Sequence, residues 1–161
     1  MAGPSVRHPN SCCSRRFIDY SVGMNEIQAA QQDIIDDFAL FEDWQDKYAH
    51  IIDLGRSLEP LDEIHKTETN KVKGCQSQVW MYSCTEEGRM VYKAESDALI
   101  VNGLVAILIR IYSGRRATDI VEASNDFFAQ VGLDKHLSMN RTNGLFSMMK
   151  EIKQRAATNL A

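Results

Sequence analysis

Apolar positions recur along this chain with two different periods, and the change of period marks its elements. Ile27, Ile34, Phe38 and Phe41 fall at helical spacing with acidic and amide residues between them, which predicts an amphipathic helix over residues 25–41. Asp43 stands where it can cap a second helix carrying Trp44, Tyr48, Ile51, Ile52 and Leu54, with Gly55 and Pro60 as the stop. Residues 61–70 are polar without a period and predict a loop. From position 78 the residue types turn to β-formers, Val79, Trp80, Met81 and Tyr82, running on to Cys84. Glu86-Glu87-Gly88 is a turn into Met90-Val91-Tyr92-Lys93-Ala94, so a β-hairpin is expected. Residues 70–73 can add a short third strand, and three strands are about the least that makes an independently stable sheet.

Beyond the hairpin, Ser96 is expected to cap a helix, with Asp97 favourable at its positive end. Leu99 through Tyr112 is apolar nearly all round and predicts the buried helix, with Gly103 allowing close packing and Gly114 ending it. Thr118 and Ser124 can cap two short helices, the second holding Phe127 and Phe128. The last helix is expected to start at Asn140 or Thr142 and reach Thr158, with Leu145, Met148, Met149, Ile152 and Ala156 as its apolar stripe. The order α-α-β-β-β-α-α-α-α describes an α+β fold, a small antiparallel three-stranded sheet packed by helices.

Composition narrows the function classes. The chain has 161 residues, 18 basic against 22 acidic, net −4, and no basic stripe, which gives a nucleic-acid partner no electrostatic support. No apolar run approaches a membrane span. Residues 1–23 differ from the rest: Arg7, Arg15 and Arg16 against Asp19, two of the three prolines, and no period. They read as a disordered extension or an expression or start-site artefact, leaving 24–161 as the domain. The extension has no apolar stretch of the length a secretory signal needs. Cys12 and Cys13 are adjacent and far from Cys75 and Cys84, a poor disulfide framework that suits a reducing, cytoplasmic setting.

The chemistry concentrates in Lys73-Gly74-Cys75-Gln76-Ser77-Gln78. A cysteine at a loop–strand junction, beside a glycine that lets another molecule approach, is a candidate nucleophile. Lys71 and Lys73 are expected to favour its thiolate. A buried structural cysteine is the plain alternative. Cys84, in the strand, reads as a packed or edge-strand thiol. No Cys or His pair has zinc-site spacing, so no metal is expected. A Cys–His hydrolase is open in principle through His50, His65 or His136. Arg141, near the start of the last helix, does not suit the helix dipole and reads either as a surface residue or as a contact for an anionic sulfur or a partner.

Gly74-Cys75-Gln76-Ser77-Gln78-Val79-Trp80 resembles the hallmark of the SufE family, sulfur acceptors of iron–sulfur cluster assembly. Trp44 to Gly55, Ser96-Asp97-Ala98 with Gly103-Leu104, Asp119-Ile120-Val121, His136-Leu137, and Arg141 with Gly144-Leu145 and Met148 extend the resemblance over nearly all of 24–161. It implies the fold shared with IscU/NifU scaffolds and a role for Cys75: taking persulfide sulfur from a SufS-type or CsdA-type cysteine desulfurase, stimulating it, and passing sulfur to a SufB-type scaffold. Scaffolds of the IscU type hold a cluster with three cysteines, whereas this domain has two, so a carrier fits better. Gly74, Gln76, Asp97 and Arg141 are the expected partner-binding residues. No cofactor, nucleic acid or membrane is expected, and a homodimer stays open. The alternatives are a module that activates a desulfurase allosterically without carrying sulfur, and an independent cysteine hydrolase.

Overall fold

The computed structural model describes residues 25–160, so the expectation for residues 1–23 lies outside the described residues. The chain runs through α1 (Glu26–Ala39), α2 (Trp44–Arg56), β1 (Val79–Glu86), β2 (Arg89–Ser96), α3 (Leu99–Tyr112), α4 (Ala117–Glu122), α5 (Phe127–Val131), α6 (Leu133–His136) and α7 (Met139–Leu160). Asn25 begins α1 with a reciprocal capping box: its side chain accepts from the Gln28 N–H, and the Gln28 side chain accepts from the Asn25 N–H. Asp43 caps α2, accepting from the Asp46 N–H at 2.8 Å. Both starts follow the sequence pattern.

The hairpin turns at Glu87 and Gly88, both at positive φ (49° and 75°), the two-residue geometry whose twist matches that of paired strands. The β1–β2 ladder runs from Val79↔Ser96 to Glu86↔Arg89. Val79 and Met81 with Met90, Tyr92 and Ala94 are buried in the core. Trp80 and Tyr82 belong to the other face, where His65 stacks on Tyr82 at 3.7 Å and Lys66 pairs with Glu95. The loop predicted for residues 61–70 therefore covers the back of the sheet, with one 3₁₀ turn at Glu63–His65.

The sheet has two strands, not three. Residues 70–72 do lie beside β1, with the Val72 N–H donating to the Val79 carbonyl and the Met81 N–H to the Asn70 carbonyl, both 2.8 Å. The pairing stops at the single Lys71↔Trp80 bridge because Gly74, at φ +92°, turns the chain away.

Two cap expectations fail. Ser96 does not cap α3; it completes β2 opposite Val79 and is buried, and Ala98 holds the cap position without a side-chain bond. Arg116, not Thr118, precedes α4, whereas Ser124 does accept from the Asp126 N–H just before α5. The last helix starts at Met139, one residue before Asn140, where Ser138 accepts from the Arg141 N–H through its hydroxyl and from the Thr142 N–H through its carbonyl.

Helix α3 is the centre of the core. Ile107, Leu108 and Ile111 are at most 1% exposed, and α2 crosses α3 at two glycines. A Cβ on Gly55 would lie 2.7 Å from the Gly103 nitrogen, and one on Gly103 would fall on the Ile51 carbonyl. Asn102 closes this crossing, accepting from the Ser96 N–H and donating to the Gly55 carbonyl, both 2.9 Å. Helix α7 packs from the other side, with the buried Tyr92 hydroxyl donating to the Ile152 carbonyl at 2.7 Å.

Candidate functional site

Cys75 follows Gly74 in the segment that enters β1, and it is the free cysteine of the described residues. The positive φ of Gly74 brings its backbone so close to α7 that an added Cβ would lie 2.5 Å from Ser147 Oγ. Gly144, one turn earlier on α7 and buried, leaves the space that Cys75 fills: its missing Cβ would sit 3.6 Å from Cys75 Sγ. The thiol donates toward the Gly144 carbonyl at 3.6 Å, a weak sulfur hydrogen bond. Two glycines on opposite sides thus seat the thiol against α7.

Half-burial pushes the Cys75 thiol above its ordinary value of 9.0. This overturns the expectation that the flanking lysines hold a thiolate. Lys71 pairs with Glu68 at 3.2 Å, Lys73 is exposed, and desolvation decides the thiol's state. A carbonyl acceptor also favours the protonated form, since it accepts from S–H and repels an anion.

Beside the thiol opens a cavity of about 330 Å³. Its lining combines apolar side chains, Ala98, Ile100, Val101 and Met148, with polar ones, Gln76, Ser77, Ser138, Asn140 and Arg141. Of the residues singled out in the sequence, Cys75, Gln76 and Arg141 meet at this cavity, and Gly74 makes the turn just before Cys75. Asp97 is not part of its lining. Its carboxylate accepts from the Gln78 N–H at 3.0 Å and its own N–H donates to the Gln78 carbonyl at 3.3 Å, so it closes the base of the hairpin rather than a helix start. Gly144, Ser147 and Ser138 were missed as functional positions. The Gly-x-x-Ser spacing of Gly144 and Ser147 puts two small side chains on one helix face, and that was the available signal.

Among the described residues no histidine lines the cavity: His50 packs against Phe38 and Phe41, His65 on Tyr82 and His136 on Trp44, so none of these three stands beside Cys75 as a Cys–His pair needs. Among the described residues no three His, Cys, Asp or Glu side chains are grouped to hold a metal ion.

Residues 32–156 match the family described as SufE: Fe-S metabolism associated domain. The chain belongs to the SufE family. An uncharacterized SufE-like protein of Rhizobium meliloti (strain 1021) is 45% identical over 132 residues, covering 79% of this chain and 94% of that protein. The chloroplastic/mitochondrial SufE-like protein 1 of Arabidopsis thaliana is 37% identical over 134 residues, covering 83% of this chain and 36% of that longer protein. A solution structure of a hypothetical protein from Thermus thermophilus shares the fold with a TM-score of 0.69 at 15% identity, covering 81% of this chain and 96% of that one. SufE membership places the chain in iron–sulfur metabolism and implies a cysteine desulfurase as its working partner. No helix among the described residues is long and apolar enough to cross a membrane.

Proposed function

We propose that this SufE-family protein is a sulfur carrier whose acceptor is Cys75, loaded by a SufS-type or CsdA-type cysteine desulfurase and unloaded onto a SufB-type scaffold. The observation that carries this reading is a free thiol mounted on a glycine turn, half-buried and seated against Gly144. A persulfide is easily reduced and oxidised, so a carrier gains from a thiol that is sheltered when alone and extended when docked. Gly74 supplies the turn on which such a movement depends.

In the seated state the thiol keeps its proton. Docking lifts it off the Gly144 carbonyl into a more polar setting, where it ionises. The thiolate attacks the terminal sulfur of the donor persulfide, the donor's S–S bond breaks, and the donor cysteine leaves as thiolate. Gln76 and Arg141, at the cavity rim, contact the donor, and Asp97 supports this face by fixing the base of the hairpin.

Incubation with a desulfurase and cysteine should leave the peptide containing Cys75 heavier by one sulfur atom. Sulfur found only on other cysteines overturns the reading. Stimulation of the desulfurase that survives Cys75→Ala in full favours an allosteric activator instead.

A further inference from the structure

The cavity beside Cys75 is far larger than sheltering one sulfur requires. A single added sulfur fills about one water volume, on the order of 30 Å³, against a cavity of about 330 Å³. That size lies at the lower end of small-molecule sites. The lining is mixed as in such sites, with Ile100, Val101 and Met148 apolar and Ser138, Asn140 and Arg141 polar. Arg141 stands in the first turn of α7, where a cation opposes the helix dipole, and among the described residues no carboxylate pairs with it. An anion in the cavity would give it the partner it lacks.

We propose that this cavity binds a low-molecular-weight persulfide or thiol bearing a carboxylate, with Arg141 holding the carboxylate, so that Cys75 exchanges sulfur with small molecules as well as with a protein donor. The inference rests on the reading of Cys75 as a sulfur acceptor. Access favours it: with the loop seated, the half-buried thiol borders the cavity, which admits a cysteine-sized molecule without unseating the loop. Burial keeps most of the seated thiol protonated, so the reacting species is the small fraction that gives its proton to solvent, and this thiolate attacks the terminal sulfur of R–S–SH. The S–S bond of that molecule breaks, R–S⁻ leaves and takes up a proton, and Cys75–S–SH remains. One S–S bond forms for each that breaks, so no oxidant or reductant is consumed. The reverse reaction with R–SH unloads the carrier.

The test uses the full chain without a desulfurase, and cysteine persulfide made from cystine and sulfide. Initial loading of Cys75 is followed by intact mass against probe concentration. Loading should saturate, and Arg141→Ala and Arg141→Gln should each raise the half-saturating concentration about tenfold, as expected for loss of a charge-assisted contact. The persulfide of 2-mercaptoethanol, which lacks the carboxylate, should load wild type and both variants alike. Ile100→Phe, which narrows the cavity from another element, should slow loading by cysteine persulfide. Loading that stays linear in concentration, or that ignores the Arg141 substitutions, overturns the inference. A parallel reaction with a desulfurase separates the two claims: loading by the desulfurase with linear small-molecule loading removes this inference alone, and no loading of Cys75 by either source removes both.

Discussion

Glycine lets two pairs of segments approach closely in this protein, and the two crossings are built to opposite ends. At the α2–α3 crossing, Gly55 and Gly103 bring backbone against backbone, and Asn102 locks the contact with two partly buried hydrogen bonds. At the cysteine seat, Gly74 and Gly144 face side chains, Ser147 in one case and Cys75 in the other, and a weak thiol–carbonyl contact at 3.6 Å is the bond across it. The first crossing has no room and no give. The second closes by shape with little binding energy, which suits a group that must leave.

The largest effect should come from forcing the tight crossing. Gly103→Ala drives a methyl into the Ile51 carbonyl, where backbone on both sides has to shift, and should cost about 3 kcal/mol or more in urea denaturation. Gly74→Ala meets both a disfavoured φ of +92° and Ser147 Oγ, yet the loop can respond by lifting away. Global stability should fall by only about 1 kcal/mol, while alkylation of Cys75 by iodoacetamide accelerates. If Gly74→Ala destabilises the whole domain as strongly as Gly103→Ala, the seat is part of the core and the contrast fails.

Gly144→Ala should have the smallest effect on stability and the opposite sign. Its Cβ would make ordinary contact with Cys75 Sγ at 3.6 Å, and replacing a mid-helix glycine should add about 0.5 kcal/mol. The pH response sharpens the same comparison without mutation. Because burial raises the Cys75 thiol above 9.0, the folded protein keeps a proton that the unfolded chain loses. That contribution to stability is complete below pH 9 and is lost as pH rises through the folded value. The alkylation rate of the folded protein should therefore go on rising past pH 9, where a short peptide containing the same cysteine levels off.

Much of this was readable from residue order. The period of Ile27, Ile34 and Phe38, the Asp43 cap, the hairpin and the all-apolar Leu99–Tyr112 each announced an element, because burial and capping act within a few residues of their cause. Gly103 was readable as a close contact, though its partner was not. What failed depended on partners distant in sequence. Ser96 and Asp97 look like a helix start, but Val79 claims the one for the sheet and the Gln78 N–H claims the carboxylate of the other. Lysines two and four positions from Cys75 suggested a thiolate, yet α7, some seventy residues on, supplies the burial that keeps the thiol protonated. The cavity joins the cysteine segment to the starts of α3 and α7, so no local pattern in the sequence outlines it.

Helix α7 behaves as a beam fixed at one end. Its root is embedded: Ile152 and Ala156 are fully enclosed, the Tyr92 hydroxyl grips the Ile152 carbonyl, and Arg155 ties Glu151 to Ser83 of β1. Its tip projects, with Met139 79% exposed and Asn140 and Arg141 open to solvent. The cysteine rests near that tip. The seat itself, Gly144, is buried with Leu145 and Met148 behind it, so a partner can grip the free tip while the wall that backs the thiol stays fixed.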